Sequence, residues 1–286
     1  SAASDVYKRQ IYNQRYFMRK SFDDLTIADD YMFCAVMQDA VLCKKLLQLV
    51  LADAVGIITK LYYQTAFEQG TSKGIRLDIW AEDNTGKLYD IEMQTTDQKN
   101  LAKRLRYYQS AIDVSTLNKG GDYDDLPDTF IIFFCSFDYL NAELPVYTFK
   151  TICKESNKLL LPDGTTKVIL NSRAAAKEKV PELKAFLEYM NGIKSDNDFI
   201  TKIENKVKEI KQNDERRREY MIMSAFEADA RRVGISEGIR QGEAKGFADG
   251  FRQKALETAR LMATHNYPVS EICSITGLTR EEIEKL

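Results

Sequence analysis

The residues best suited to do chemistry are two carboxylates and an amide in two short apolar runs. Asp78 lies in the run Arg76–Trp80, and Glu92 and Gln94 lie in the run Leu88–Gln94. The polar segment between the runs contains Asn, Asp and Gly, which favour the reversal of a β-hairpin. Two strands joined in this way can place Asp78 beside Glu92, and strand alternation puts Glu92 and Gln94 on one face. Oxygen ligands on adjacent strands suit Mg²⁺ or Mn²⁺.

The elements that must position these residues follow from the hydrophobic pattern. Thr26 or Asp29 can cap a first helix that carries Met32, Phe33, Val36 and Met37 on its apolar side. The further predicted elements are a helix over 42–51, strands over 56–67, 75–81 and 88–94, a helix over 101–117, and strands over 130–137 and 147–153. This order predicts the α/β class, with a mixed sheet flanked by helices.

Several ordered motifs resemble the PD-(D/E)XK nuclease superfamily, and within it the branch of Rpn-like recombination-promoting nucleases and transposases. The motifs are Ser21–Thr26, Asp29–Phe33, Arg76–Ile79, Asp90–Gln94, Arg106–Gln109, the strand Phe130–Phe134 and Tyr147–Phe149. The resemblance implies a restriction-endonuclease-like mixed sheet with a helical C-terminal extension. It also implies a Mg²⁺- or Mn²⁺-dependent nuclease that acts on DNA.

The resemblance gives each residue of the central motif a role. Asp78 would coordinate the metal, and Glu92 would share that metal and help to position the attacking water. Gln94 stands where many superfamily members carry a lysine, and its amide can donate a hydrogen bond but cannot act as a general base. The alternatives are an Asp78 that pairs with Arg76 at a strand end, and a Glu92 that faces solvent.

Two further side chains match the branch at some distance from the central motif. Asp29 or Asp30 would bring another acid toward the metal, and we select Asp30 because it directly precedes Tyr31–Phe33. Capping of the first helix competes with this role, since the helix dipole favours negative charge there. Gln109 would reach back to the site from the helix after the metal strands, and the alternative is a solvated helix residue.

Basic residues concentrate on that same helix in a chain that is slightly acidic overall. Lys103, Arg104 and Arg106 would contact DNA phosphates, and Lys73 and Arg76 would extend the same positive surface. Such contacts confer salt-dependent affinity without sequence choice. The alternative is an ordinary solvated basic helix face.

Composition narrows the function classes. The chain has 286 residues, a formal net charge of −2 and 44% hydrophobic residues, which is enough for a sizeable core. Its five cysteines form no Cys-x-x-Cys pair, which favours a reduced cytoplasm. The sole histidine, His265, lies in the C-terminal part, so a histidine-metal nuclease or a serine–histidine–acid hydrolase has no plausible centre.

The chain is expected to have four parts. Residues 1–16 are expected to be a disordered or non-native leader, 17–195 a nuclease-like domain, 196–255 a helical connector, and 256–286 a small helix-turn-helix-like segment. The connector has a glycine at every fourth residue, which indicates either a flexible linker or a helix-pairing stripe. These glycines are Gly238, Gly242, Gly246 and Gly250.

The last segment resembles a helix-turn-helix unit with Gly277 in the turn. Its would-be recognition helix carries Glu281, Glu282 and Glu284, which would repel phosphates, so we favour assembly or protein contact over base reading. A homo-oligomer formed through the helical C-terminal region is therefore expected. The sequence as a whole predicts a bacterial, metal-dependent DNA endonuclease linked to mobile elements or recombination. The alternative is a weak or inactive nuclease-fold protein that binds DNA or another protein.

Overall fold

The chain divides into two compact units. The computed structural model describes residues 20–52, 55–67 and 73–286, and the predicted leader, residues 1–16, lies outside them. The first unit ends at Tyr220, and the second runs from Met221 to Leu286. The division therefore falls later than the predicted domain boundary at residue 195.

The first unit combines helices with six strands. Its helices are α1 (Asp30–Met37), α2 (Ala40–Leu51), α3 (Leu101–Thr116), α4 (Pro181–Met190), α5 (Asp198–Gln212) and the beginning of α6 (Asp214–Thr264). Its strands are β1 (Ile58–Phe67), β2 (Ile75–Asp83), β3 (Leu88–Gln94), β4 (Thr129–Cys135), β5 (Val146–Phe149) and β6 (Thr165–Asn171). Strand β6 was not predicted, and the other strands lie where the hydrophobic pattern indicated.

The six strands form one mixed sheet in the order β1-β2-β3-β4-β6-β5. Strands β1, β2 and β3 are antiparallel neighbours, β3–β4 and β4–β6 are parallel pairs, and β5 is antiparallel to β6. A parallel pair needs a long crossover, and α3 lies in the connection from β3 to β4. The predicted fold class, a mixed sheet flanked by helices, is confirmed.

Neighbouring residues of β4 show that helices cover both faces of the sheet. Phe133 packs against Tyr108 of α3, with ring centroids 6.1 Å apart. Phe134 points the other way and packs against Phe33 of α1 at 5.9 Å and Phe186 of α4 at 5.3 Å. Both β4 rings are fully buried. The site strands are thus held between two apolar layers, and burial of this kind is the main driving force of folding.

Helix α5 belongs to the first unit because its apolar stripe is buried there. Phe199 lies 6.2 Å from Phe186 of α4, measured between ring centroids. Ile203, Val207 and Ile210 of the same stripe are also buried. These residues recur at helical spacing, and their burial packs α5 onto the α/β core of the first unit.

Aromatic contacts attach the start of α6 to the first unit. The rings of Phe22, Tyr31 and Tyr220 lie 5.0 to 6.1 Å from one another. The Tyr31 hydroxyl donates to the backbone oxygen of Arg216 at 2.8 Å, and Arg217 pairs with Asp23 at 2.8 Å. The first turns of α6 are therefore part of the same core as α1.

The hairpin between β2 and β3 is organised by Asp83, which is 1% exposed. Its carboxylate accepts hydrogen bonds from the backbone amides of Gly56, Thr85 and Lys87 and from the hydroxyl of Tyr89. Burial alone would raise the pKa of Asp83, but these hydrogen bonds lower it to about 2. The register of the two site strands depends on this turn.

We expect Asp83→Ala to lower the free energy of unfolding by about 3 kcal/mol, because several hairpin donors lose a buried, charged acceptor. Urea denaturation followed by circular dichroism measures the change. Glu82→Ala is the matched control, since the Glu82 carboxylate forms a partly exposed ion pair with Lys60 at 2.8 Å. Its expected cost is below about 1 kcal/mol. Equal losses in the two variants would contradict the role given to Asp83.

The second unit consists of the remainder of α6, α7 (Val269–Thr276) and α8 (Arg280–Ile283). Gly277 has a φ of 72° and ends α7, as the predicted turn requires. The side chain of Thr279 caps α8 at the amide of Glu282, whose carboxylate pairs with Arg252 at 2.5 Å. A small core holds the three helices together, and its buried residues are Ala259, Ile272, Leu278 and Ile283.

The glycine repeat lies inside α6 and is helical. A Cβ placed on any of these glycines would meet nothing within 4 Å. On the same helix Phe247 and Phe251 pair with each other at 4.8 Å while remaining 71% and 65% exposed. The structure therefore favours an open helical stripe over a flexible linker. In the parts of the chain that the structure describes, no helix is both long enough and apolar enough to cross a membrane.

Candidate active site

Strands β2 and β3 separate at the point where their carboxylates lie. Their ladder runs from Glu82–Leu88 to Ile79–Ile91. Beyond the ladder, backbone amides of β2 and β3 donate to side-chain carboxylates instead of to backbone oxygens. The amide of Asp78 donates to Glu92 Oε1 at 2.8 Å, and the amide of Met93 donates to Asp78 Oδ2 at 3.1 Å. The structure thus brings Asp78 and Glu92 together, as expected for strands joined in a β-hairpin.

Burial and neighbouring negative charge destabilise the charged form of both carboxylates. Burial and the negative charge of Asp30 raise the pKa of Asp78 to about 6, although Met93, Arg104 and Arg76 oppose the shift. Burial and the charge of Asp78 raise the pKa of Glu92 to about 8. Glu92 is 1% exposed, so the alternative of a solvent-facing Glu92 is excluded. Paired acids of this kind are typical of functional sites, where a bound cation can offset the repulsion.

A third carboxylate, Asp90, lies behind this pair. It is on the same face of β3 as Glu92 and is fully buried. Neither of its oxygens has a hydrogen-bond partner among the described residues. Burial and the charges of Glu92 and Asp78 raise its pKa well above the usual range, which favours the neutral acid. Sequence reasoning missed Asp90, although the alternation Asp90, Glu92, Gln94 was the signal that could have found it.

Arg104 lies across the carboxylate site. Its Nη2 donates to Glu92 Oε2 at 2.7 Å, its Nη1 donates to Gln94 Oε1 at 2.5 Å, and its Nε donates to the Tyr108 hydroxyl at 2.8 Å. The guanidinium carbon lies 4.9 Å from the centroid of the Tyr108 ring and 5.0 Å from that of Phe133. Arg104 therefore contacts strand β3 itself, whereas the sequence had indicated a contact to DNA phosphates.

Gln94 has its amide group fixed in one orientation. Arginine has only donors, so the group that faces Arg104 must be the amide oxygen. The amide nitrogen donates to the backbone oxygen of Thr96 at 2.6 Å. In this arrangement Gln94 serves as the acceptor that holds Arg104.

Of the two acids at the start of α1, Asp30 is the one that acts on Asp78. Asp29 is engaged elsewhere, because its carboxylate accepts from the amide and hydroxyl of Thr26 and pairs with Lys20 at 2.9 Å. It provides no side-chain cap to α1. Asp30 is the first residue of α1, and its charge helps to raise the pKa of Asp78. This placement supports the choice of Asp30 over Asp29.

Gln109 lies deeper than the other predicted site residues. It is 7% exposed, so the alternative of a solvated helix residue is excluded. Its Nε2 donates to Asp113 Oδ1 at 2.8 Å, and its Oε1 is buried without a partner in the described part of the chain. It does not line the cavity above Asp78. A role for Gln109 at the metal stays a prediction.

A basic cavity of about 810 Å³ opens above Asp78 and Gln94. Asp29 and Asp30 also line it, and the hydroxyl of Tyr107 donates to a backbone oxygen on its wall at 2.6 Å. All the residues predicted to contact DNA belong to its lining, namely Lys73, Arg76, Lys103, Arg104 and Arg106. The cavity therefore combines an acidic floor with cationic walls, which suits a metal ion together with a phosphodiester.

The donor set fits a hard divalent cation. Asp78 and Glu92 supply carboxylate oxygens on adjacent strands, and the buried oxygens of Asp90 lie behind them without a partner among the described residues. Among the described residues, no group of three or more His, Cys, Asp or Glu side chains is already arranged to hold a metal. Mg²⁺ commonly binds one or two carboxylates and fills its other positions with water and substrate oxygens. The site matches that pattern.

A mixed sheet between helical layers, with an Asp and a Glu on adjacent strands beneath a basic cavity, defines a nuclease-like α/β protein. The family model described as PD-(D/E)XK nuclease family transposase matches residues 29–233, and the chain belongs to this family. The resemblance read from the motifs is thereby confirmed. Comparison with curated proteins and with solved structures gave no match. The matched range contains the whole carboxylate site and ends within α6.

Proposed function

We propose that the protein is a divalent-metal-dependent DNA endonuclease that hydrolyses phosphodiester bonds. The observation that carries the proposal is the pairing of Asp78, which lines a cavity with basic walls, with the buried Glu92 on the neighbouring strand. Membership of a nuclease and transposase family supports the same reaction class. The word transposase in the family description supports a link to mobile elements, and a role in recombination in a bacterium is part of the proposal.

Asp78 and Glu92 would hold Mg²⁺ or Mn²⁺, with Asp30 near enough to act on Asp78 electrostatically. When bound, the ion would lower the pKa of a coordinated water and offset charge at phosphorus. Gln94 cannot serve as a general base, because its amide has no basic lone pair at neutral pH. Its contacts to Arg104 and to Thr96 indicate a positioning role.

The cationic walls would bind the DNA backbone. Lys103 and Arg106 lie on α3 beside the carboxylates, Lys73 lies just before β2, and Arg76 is near the beginning of that strand. Lysine and arginine at such positions neutralise phosphates and release counterions, without reading bases. DNA of any sequence is therefore the proposed ligand.

Lys103→Gln is expected to weaken binding to a DNA duplex and to reduce the slope of log affinity against log salt by about 0.9, the contribution of one phosphate contact. Fluorescence anisotropy over a salt series in Ca²⁺ measures both quantities. Lys119→Gln is the control, since Lys119 is exposed beyond the end of α3 and does not line the cavity. If both variants lose the same affinity, the cavity is not the DNA-binding surface.

The test of the proposed function is nicking of a supercoiled plasmid. Wild-type protein is assayed with Mg²⁺, with Mn²⁺ and with EDTA, beside Asp78→Ala and Glu92→Ala variants purified in parallel. Metal-dependent nicking that both variants lose would establish the nuclease and its centre. Cleavage that survives in both variants would point to another centre or to a contaminant. A wild type that binds metal and leaves DNA intact would refute the proposed reaction.

A second candidate is a protein-interaction role on the nuclease fold. It is favoured by the exposed apolar side chains on α6, among them Phe226, Ile239, Phe247 and Phe251. These side chains also support the proposal of a homo-oligomer that forms through the C-terminal helical region. A cytoplasmic location is supported by the free thiols, since Cys34, Cys43, Cys135, Cys153 and Cys273 form no disulfide.

A further inference from the structure

The guanidinium of Arg104 lines the cavity and contacts strand β3 directly. It lies between Glu92 and Gln94 at 2.7 and 2.5 Å. We propose that Arg104 is a catalytic residue that delivers positive charge to the scissile phosphate from helix α3. In this assignment Gln94 and Glu92 hold the guanidinium of Arg104 in place, and strand β3 supplies no cation of its own. The inference rests on the proposed nuclease function and deepens it.

Phosphodiester hydrolysis at this site needs a cation that strand β3 does not supply. Hydrolysis increases the negative charge on the non-bridging phosphate oxygens, so fixed donors aimed at them stabilise the transition state. Gln94 is neutral, its amide oxygen faces Arg104, and its amide nitrogen already donates to Thr96. Arg104 is therefore the group best placed to meet this requirement.

Arg104 retains N–H donors that a substrate can use. A guanidinium has five N–H groups. Among the described residues, three acceptors engage it, on Glu92, Gln94 and Tyr108. Its side chain lines the cavity and is 26% exposed. Donors remain for a phosphate that enters the cavity.

The guanidinium of Arg104 is held in a fixed orientation before a substrate binds. The ring of Tyr108 and the ring of Phe133 hold the guanidinium on its apolar side, at 4.9 and 5.0 Å. Hydrogen bonds on Nε and on both terminal nitrogens fix its orientation. A planar guanidinium that is already fixed loses little conformational freedom when it binds an anion. Surface lysines such as Lys103 lack this support, so they suit binding of the DNA backbone and not the reacting group.

In the reaction, a water oxygen forms a bond to phosphorus while the bond from phosphorus to the leaving sugar oxygen breaks. One proton of the water is lost, and the leaving oxygen takes up a proton. No group is oxidised or reduced. Arg104 keeps its own proton throughout, because guanidinium does not titrate in the working range, and its N–H groups donate to the phosphate oxygens.

The test compares Arg104→Gln with Arg104→Lys and with the double variant Arg104→Gln/Gln94→Lys. The single-turnover nicking rate at saturating Mn²⁺ is the first readout. Arg104→Gln is expected to lower it by about 100-fold, as for the loss of one oxyanion donor. Arg104→Lys keeps the charge and should retain a rate well above that of Arg104→Gln. The double variant returns a cation to the strand and should recover at least about tenfold of the lost rate.

The second readout is the affinity for Mn²⁺ alone, measured by titration calorimetry without DNA. Removal of a positive charge beside Glu92 should tighten Mn²⁺ binding by about tenfold, because the guanidinium and the metal repel each other. A residue with a purely architectural role would not combine tighter metal binding with slower cleavage. Thermal unfolding of each variant checks that the fold is retained, and Arg104→Met, which also removes the charge, serves if Arg104→Gln does not fold.

Three results would overturn the inference. A nicking rate in Arg104→Gln equal to that of the wild type would show that the charge is not used. A rate above that of the wild type would show that Arg104 blocks the site instead. An unchanged or weaker Mn²⁺ affinity would show that the guanidinium does not act on the metal site. The last readout holds even if the wild type fails to cleave, in which case the proposed nuclease function falls separately.

Discussion

Asp78→Asn lowers the rate of metal-dependent nicking by about 1,000-fold or more, yet leaves the metal-free protein at pH 8 at least as stable as the wild type. The asparagine oxygen can still accept from the Met93 amide, which Asp78 Oδ2 accepts at 3.1 Å in the wild type. What the variant loses is the charge that would hold the metal. It also loses the cost of a buried charge and the repulsion from Asp30, which together raise the pKa of Asp78, and it relieves Glu92 of the Asp78 charge. Activity and stability should therefore move in opposite directions.

Plasmid nicking and thermal unfolding, each with and without Mn²⁺, measure this pair of effects. Glu82→Gln is the matched control on the same strand, since its side chain pairs with Lys60 away from the cavity. It should retain both the nicking rate and the metal-induced rise in Tm. An Asp78→Asn protein that nicks DNA normally, or that still gains stability from Mn²⁺, would remove Asp78 from the site. Glu92→Gln is a poorer variant, because its amide nitrogen would face either the Asp78 amide or Arg104.

The metal-free protein is expected to lose stability as pH rises from about 5 to about 8. In the fold the pKa of Asp78 is raised from 3.8 to about 6, and that of Glu92 from 4.5 to about 8. The folded state therefore holds protons that the unfolded state releases above pH 4 to 5. This contribution to stability is complete below that range and disappears as pH passes through 6 and then 8. The expected loss is several kcal/mol.

Mn²⁺ should reverse this trend. Metal binding requires the deprotonated carboxylates, so its affinity increases as pH rises through the same range. Thermal unfolding at pH 5, 6, 7 and 8, with EDTA and with Mn²⁺, gives both curves. The two curves should lie close together at pH 5 and farthest apart at pH 8. Asp78→Asn is the control, and its metal-free curve should be flatter. A metal-free Tm that rises from pH 5 to pH 8 in the wild type, relative to this variant, would contradict the assigned repulsion.

The hairpin and its paired carboxylates could be predicted because their pattern is local. Strand alternation fixes which of Glu92 and Met93 shares a face with Gln94, and the polar turn fixes the reversal. Strand β6 was missed because its apolar run, Val168–Leu170, is short and follows polar residues. Its place depends on pairing with β4, which is distant in sequence.

The role of Arg104 could not be read from the sequence for a different reason. The residue pattern predicts a basic helix face, but it does not predict which basic side chain of α3 contacts strand β3. That choice is made by the packing of α3 through Tyr108 on Phe133, whose ring centroids lie 6.1 Å apart. The site of a side chain with four rotatable bonds is decided by such tertiary contacts.

The reciprocal hydrogen bonds at the end of the β2–β3 ladder have a spectroscopic consequence. The amides of Asp78 and Met93 donate to carboxylate oxygens of the very residues that would bind a cation. A metal that draws these oxygens toward itself must lengthen the two hydrogen bonds or polarise them. The amide proton resonances of Asp78 and Met93, and their rates of exchange with solvent, are therefore internal reporters of metal occupancy. They would register a bound ion even in a complex where no bond is cut.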